Sequence, residues 1–261
     1  MRVTVGCLRF AAVCLSVVAG CSSTPLDDDT SAAGAASGGT AGNTGGNTGG
    51  NTGTPTPRPC SGALRQSLSL VDEVSTASVK TLSETAVERV LYVDASVGGI
   101  EGQDSHPWVY VALATGEAVA VTDLEAFDST AWDLALKRAV LRTNSGDSGP
   151  GNGGAIRIAL GWDKVSSSTL GDKTLPIEEW FDDQCMIVKD ATNNLVTTFS
   201  DWSEYDEATH VLAPADAVYV TAGADGSLYK LQILDYYSTA TGTHGPATAS
   251  GHYKLRIAPL P

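Results

Sequence analysis

Between Leu228 and Tyr236 the chain alternates: Tyr229, Leu231 and Ile233 fall on one side, Lys230 and Gln232 on the other. Near the C-terminus Tyr253, Leu255 and Ile257 alternate with Lys254 and Arg256 in the same way. Successive side chains of a strand point to opposite faces, so both runs predict half-buried strands. The Gly-, Thr- and Ser-rich stretch between them favours an antiparallel hairpin. Arg89 to Val93, Trp108 to Ala114, Ala155 to Leu160 and Val218 to Thr221 are shorter candidates, rich in the Val, Ile and Tyr that suit a pleated surface. Two regions carry another period. Leu64, Leu68, Val71 and Val74 sit at helical spacing and predict a helix over Ser61 to Thr76 at the domain edge. Trp132, Leu136, Ala139 and Val140 also fit a helix, which the pattern alone leaves open. The 28 glycines, partly in turns, suit an all-β domain with many tight connections.

The first 59 residues break with this pattern. Arg2 and Arg9 precede an apolar run from Phe10 to Val18 that ends in Val18-Ala19-Gly20-Cys21. That order reads as a lipoprotein signal peptide over residues 1–20, with Cys21 lipidated as the first mature residue. The apolar run is about half the ~20 residues a spanning helix needs. Residues 21–59 hold the lipidated Cys21 and a tether of Ser, Thr, Gly and Asn, with Gly-Gly-Asn-Thr units and prolines at Pro55, Pro57 and Pro59. It has almost nothing apolar to offset its ordering entropy, so it is expected to be disordered. As a flexible coil it would span on the order of 30 to 35 Å. Residues 60–261 remain, a length that suits one domain with a single core. Ser22 and Ser23 follow Cys21 in place of the aspartate that often retains lipoproteins at the inner membrane. The expected location is therefore the outer membrane, facing either the surface or the periplasm.

The net charge of −14 becomes −16 once Arg2 and Arg9 leave with the leader. Nucleic-acid binding, which depends on Lys and Arg at phosphates, is disfavoured. An anionic ligand would need local cations to offset the overall field. Cys7 and Cys14 also leave with the leader and Cys21 is lipidated, so Cys60 and Cys185 are the remaining thiols. Beyond the cytoplasmic membrane they are free to pair, two free cysteines being the alternative. A loop of roughly 125 residues closed this way would stabilise the fold by about 4 to 5 kcal/mol, less native strain.

One stretch invites catalysis. Gly146-Asp147-Ser148-Gly149-Pro150 resembles the nucleophile loop of chymotrypsin-like serine proteases, and Asp133-Leu134-Ala135-Leu136 resembles their acidic segment. Such enzymes need His, Asp and Ser in that order, with roughly 45 and 90 residues between them. Here His106 stands 27 residues before Asp133 and Asp133 only 15 before Ser148, too little chain for two β-barrels. Pro150 also replaces a glycine of that loop. A serine hydrolase is thus a remote reading. A calcium loop on Asn144, Asp147 and Asn152 lacks the terminal bidentate carboxylate.

Read in order, a longer set of pieces gives a different picture. Tyr92-Val93-Asp94-Ala95-Ser96 is followed by Trp108-Val109-Tyr110, Thr115-Gly116-Glu117, Trp132-Asp133-Leu134-Ala135-Leu136, Arg142-Thr143-Asn144 and Gly153-Gly154-Ala155. Val218-Tyr219-Val220, Asp225-Gly226, Tyr229-Lys230-Leu231, Tyr236-Tyr237 and the Gly251 to Ile257 strand complete it. This ordered set, from about Val90 to Leu260, resembles the HmuY family of haem-binding bacterial lipoproteins. The resemblance implies an all-β domain built as a single antiparallel sheet or sandwich, lipid-anchored and surface-exposed, that captures haem or a related porphyrin for iron uptake without catalysis. It implies a long strand, not a helix, from Trp132, and leaves any outer-membrane uptake receptor unassigned. The same scaffold used for a protein or glycan contact is the competing reading.

The resemblance places haem ligands in the variable region before the last hairpin, here Pro176 to Pro214. Glu207 stands where one family member carries a ligand histidine, so this chain departs from that pattern. Haem iron takes imidazole or thioether donors. His210 and Met186 are the candidate axial ligands in this region, with Met186 read otherwise as a core filler. His244 reads as an exposed turn residue, His252 as solvated beside Lys254 and Arg256, and His106 as a loop residue before Pro107. Trp162, Trp180 and Trp202 would serve equally as walls for a planar ligand or as core.

Overall fold

A computed structural model describes Cys60 and residues 69–190 and 195–260. The leader, Cys21, the tether and residues 61–68 lie outside the described residues. Twelve strands are seen among the described residues: β1 (Val79–Glu84), β2 (Arg89–Asp94), β3 (Val109–Ala112), β4 (Glu117–Ala118), β5 (Leu134–Lys137), β6 (Val140–Thr143), β7 (Gly154–Ile158), β8 (Ser203–Asp206), β9 (Val211–Pro214), β10 (Val218–Ala222), β11 (Leu228–Asp235) and β12 (His252–Pro259). Three short 3-10 turns, at Glu125–Asp128, Trp162–Lys164 and Ser167–Thr169, complete the regular structure described.

All pairings between these strands are antiparallel. A six-stranded sheet runs β1-β2-β12-β11-β10-β7, a four-stranded sheet β4-β3-β5-β6, and β8 and β9 form a separate ribbon. The alternation read from sequence is the cause of the main core. Tyr229, Leu231 and Ile233 of β11 and Tyr253, Leu255 and Ile257 of β12 are buried, and they meet Leu91 and Val93 of β2 with Val109, Val111, Leu134 and Leu136 of the second sheet. Each such side chain contributes about 1.5 to 3 kcal/mol by leaving water. The last two long strands pair as the expected hairpin, in register Leu231 to Ile257 and Ile233 to Leu255.

The other face of the six-stranded sheet is covered in part. Ile158, Val218 and Val220 pack under Trp162, Val165 and Leu170. Strand β10 is consequently buried along both faces. Trp162 is held between two cations, with Lys230 Nζ 4.6 Å and the Arg256 guanidinium 4.2 Å from its ring centre. Arg256 in turn meets Glu88 at 2.6 Å.

Two expectations need correction. The described part of the Ser61 to Thr76 segment is not helical. Ser69 has φ 49, the Val71 N–H donates to the Asp123 carboxylate, and Val74 bridges to Thr122. A tertiary partner for the backbone has outweighed the helical spacing. The Trp132 region is neither a helix nor one long strand. Strands β5 and β6 form a hairpin closed by Arg138 and Ala139, with Arg138 at φ 52 and its N–H bonded to Ala95 O at 2.8 Å. Two turn residues inserted between strands imitate the i, i+4 spacing of Trp132 and Leu136 against Val140.

Cys60 and Cys185 form a disulfide, with Cα atoms 5.3 Å apart and a sequence separation of 125. The bridge ties the start of the domain to the region between β7 and β8.

Candidate functional site

Charged residues of this domain are handled in two ways. Under the β5–β6 hairpin lie Arg142, Asp123, Glu178 and Lys137, all buried. Arg142 projects from β6 among five aromatic rings, its guanidinium 4.5 Å from the Trp108 ring centre, 5.0 Å from Trp132, 5.4 Å from Tyr110, 5.5 Å from Phe127 and 5.6 Å from Trp180. It donates to Ser148 Oγ at 2.8 Å, to Ser148 O at 3.1 Å and to the Tyr110 hydroxyl at 2.8 Å. Tyr110 passes its own proton bond to Asp123 at 3.0 Å. Burial pushes the Tyr110 phenol well above its usual value, with the Asp123 carboxylate adding to the rise against Arg142.

Asp123 also accepts from the Val71 and Trp108 backbone N–H groups, both at 2.9 Å. Glu178 accepts five bonds: from the Thr143 N–H and hydroxyl, the Thr198 N–H and hydroxyl, and Trp180 Nε1. Burial raises its carboxyl above the usual value while those donors pull it back. Lys137 is shifted down by burial, its Nζ donating to Ser69 O at 3.1 Å. Buried charge needs such saturation, and here nearly every valence is spent inside the fold.

Of the protease-like residues, Ser148 belongs to this network. Ser148 is fully buried with its Oγ taken by Arg142, and Asp133 accepts from the backbone N–H groups of Leu113 at 2.6 Å and Ala224 at 2.7 Å. His106 stands elsewhere, exposed, with Nδ1 2.9 Å from Gly102 O. Nothing brings these three into a proton relay. Asn144, considered for calcium, instead donates to Ser129 O and Trp132 O and accepts from the Gly151 N–H. The glycines of the loop serve this packing: a Cβ on Gly153 would lie 2.6 Å from Asn144 O.

The expected ligand-bearing residues are placed apart from that network. Met186, read as a core filler, is 65% exposed in the turn after the disulfide. That turn is closed by the Asp182 N–H to Met186 O bond at 3.0 Å and the Phe181–Ile187 bridge. His210 closes the β8–β9 ribbon. It has φ 58, its N–H donates to Asp206 O at 2.8 Å, and its Nδ1 lies 2.6 Å from the Tyr205 hydroxyl.

The other histidines are engaged. His244 is exposed, as expected, with Nδ1 bonded to Asp235. His252 is half-buried and not solvated, stacked on Tyr92 and bonded to its hydroxyl at 2.8 Å. Trp162, Trp180 and Trp202 are all core residues, with Nε1 donating to Glu88, Glu178 and Ala139 O in turn.

Sequence reading missed Tyr205 as a partner of His210. No spacing pointed to it: β8 is largely exposed and shows no alternation, and only the geometry of the turn that starts at Asp206 returns residue 210 to residue 205. Asp206 Oδ1 accepts from the Ala208 and Thr209 N–H groups and so shapes that turn. The Thr209 hydroxyl, together with those two N–H groups, holds the Asp206 carboxyl below its usual range. The ribbon is fixed to the body by the Ala215 N–H to Trp202 O and Leu212 N–H to Tyr237 hydroxyl bonds.

The HmuY protein family matches residues 104–250 of this chain. No curated protein matches it. Among solved structures it is similar to a Bacteroides vulgatus ATCC 8482 protein described as HmuY-like and haem-binding, at 16% identity over 71% of this chain and 97% of that one, with TM-score 0.42. A Bacteroides fragilis NCTC 9343 protein described as a lipoprotein shares 18% identity over 68% of this chain and 94% of its own, with TM-score 0.40. The apo form of a Tannerella forsythia HmuY analogue shares 18% identity over 73% of this chain and 100% of its own, with TM-score 0.39.

Proposed function

Because the chain belongs to the HmuY family, we propose that it is a haem-binding lipoprotein, anchored through Cys21 to the outer membrane, that captures haem for iron acquisition and catalyses nothing itself. The observation that carries this reading beyond the family is the donor pair on the β8–β9 ribbon. Haem iron takes axial nitrogen, sulfur or phenolate oxygen donors. Tyr205 and His210 bring a phenol and an imidazole to 2.6 Å on an exposed ribbon, inside the region where the resemblance places ligands. The donor chemistry fits haem. Bound there, haem would supply an iron centre to which one of these two side chains would donate.

The electrostatics work the other way. Glu204, Asp206 and Glu207 are exposed on the same ribbon and oppose haem propionates in a chain of net charge −14. Affinity then depends on the axial bond, and it should rise with salt as the repulsion is screened.

Haemin titration of the purified full-length protein in detergent tests the reading. A saturable shift of the haem absorption band is expected, and absence of both shift and saturation at micromolar haemin would overturn it. Incorporation of a palmitate analogue, lost in Cys21→Ala, checks the anchor.

A further inference from the structure

We propose that the outer face of the six-stranded sheet holds a binding site for a small carboxylate with a hydrocarbon tail, beneath the connection between β11 and β12. This inference does not rest on the haem reading. A hollow of about 400 Å3 lies there, within the usual size range of small-molecule sites. Its walls include Lys254 and Arg256 of β12, Ser83 of β1 and the apolar side chains of Leu82, Val90 and Leu234, and no carboxylate lines it. In a chain of net charge −14 such a lining stands apart from the overall field and selects for an anion.

The hollow has a fixed roof. The connection between β11 and β12 folds back over the sheet as far as β1, where a Cβ on Gly242 would come within 2.8 Å of Leu82 Cδ1. Gly242 also has φ 81, so both its space and its backbone require glycine. Thr239 Oγ1 meets the Thr241 and Thr243 hydroxyls at 2.9 and 2.7 Å, and the Gly242 N–H donates to Thr239 O at 2.8 Å. Lys254 Nζ then donates to Gly242 O at 2.9 Å and ties the roof to the floor.

An ammonium carries three protons, and the roof bond uses one. Two remain for a ligand. Arg256 gives Nε and Nη2 to Glu88, which offsets its charge, while its Nη1 makes no bond among the described residues. Lys80 pairs in register with Tyr92, and Tyr92 with Lys254, and directly opposed residues share a face. Lys80 thus adds a second cation to the row. The carboxylates nearby are already engaged: Glu88 by Arg256 and Trp162 Nε1, Asp235 by His244 and the Tyr237 N–H. A ligand carboxylate would accept from Lys254, with Arg256 and Lys80 adding attraction. Its tail would cover Leu234, which is 40% exposed, together with Leu82 and Val90. Covering that apolar wall is what favours a tailed carboxylate over an inorganic anion.

The test is calorimetric titration of the full-length protein, in non-ionic detergent, with hexanoate, hexanol and inorganic phosphate. Hexanoate is expected to bind saturably at one site, and more weakly as salt is added. Hexanol, which lacks the charge, and phosphate, which lacks the tail, should each bind at least roughly tenfold more weakly. Lys254→Gln keeps a donor for Gly242 O but loses the charge, and should weaken hexanoate about tenfold or more. Leu234→Asp puts a like charge on the apolar wall without touching either cation of β12, and should abolish binding. Thermal unfolding shows whether each variant is folded, and should Lys254→Gln fail to fold, the exposed Leu234→Asp decides alone. The site is overturned if hexanoate does not saturate, if hexanol or phosphate binds as well as hexanoate, or if folded Leu234→Asp binds hexanoate like wild type.

Discussion

The Trp132 to Ala155 region and the β8–β9 ribbon both display polar residues of the kind that do chemistry, and they use them in opposite ways. In the first, Arg142, Ser148, Asn144 and Asp133 are bonded to one another or to backbone, and Glu178 and Asp123 close the set from outside. In the second, Tyr205 and His210 share a single bond and otherwise face water. A side chain whose valences are spent on its own fold has nothing left for a ligand. The stretch most suggestive of catalysis is thus scaffold, and the less conspicuous ribbon is where a donor remains.

The widest separation between the two regions is expected from Arg142→Ala. It removes a buried cation that five rings and two hydroxyls enclose, leaving Tyr110 and Ser148 without that partner. Losing one member of a buried charge network costs about 3 to 5 kcal/mol. Urea unfolding should show a loss of that size, with the haem spectrum of whatever remains folded keeping its wild-type form. A loss below ~1 kcal/mol would mean that the cluster does not hold the fold together.

Glu178→Gln should have a smaller effect with a distinctive pH dependence. The amide must turn one NH2 toward N–H donors, Thr143 on one side or Trp180 and Thr198 on the other, a mismatch costing about 1 to 3 kcal/mol. Burial places the folded carboxyl above its ordinary value of 4.5, so the folded chain binds more protons than the unfolded chain between those two values. Glu178 therefore contributes its full stability below pH 4.5 and loses it as pH rises through the raised value. The variant cannot titrate there, so its deficit should be largest at the acid end and narrow upward. Denaturant melts across that window check it, and a deficit that widens with pH would reverse the sign.

How much of this was legible follows from what each element buries. Strands β11 and β12 each bury one face, so Leu231 and Ile233 alternate with Lys230 and Gln232 and the hairpin could be read directly. Strand β8 reads Ser203-Glu204-Tyr205-Asp206, is largely exposed, and leaves no alternation to find. The buried network was invisible for another reason: Thr143 and Glu178 are 35 residues apart, and no local period connects them. The disulfide was legible only as an expectation, since assigning Cys7, Cys14 and Cys21 to the leader and anchor would leave Cys60 and Cys185 either to pair or to stay free. In the candidate site, His210 was found by residue type, whereas its relation to Tyr205 depends on a turn geometry that spacing alone did not disclose.

The smallest effect is expected at Met186, and it tests whether the ribbon acts without help from the disulfide turn. Met186 is 65% exposed, and its backbone bonds hold the turn whatever its side chain, so Met186→Leu should change stability by less than about 0.5 kcal/mol. Thioether sulfur is nonetheless an accepted haem donor. Were Met186 also to donate to a bound haem iron, its loss would change the spin state seen by paramagnetic resonance. Its turn is fixed to Trp180 through the Val188 N–H bond to Trp180 O at 2.7 Å, while the ribbon is fixed to Trp202 and Tyr237. The two elements are thus bonded to different parts of the fold. An unchanged spin state in Met186→Leu is therefore expected, and a changed one would make the turn and the ribbon two halves of one site.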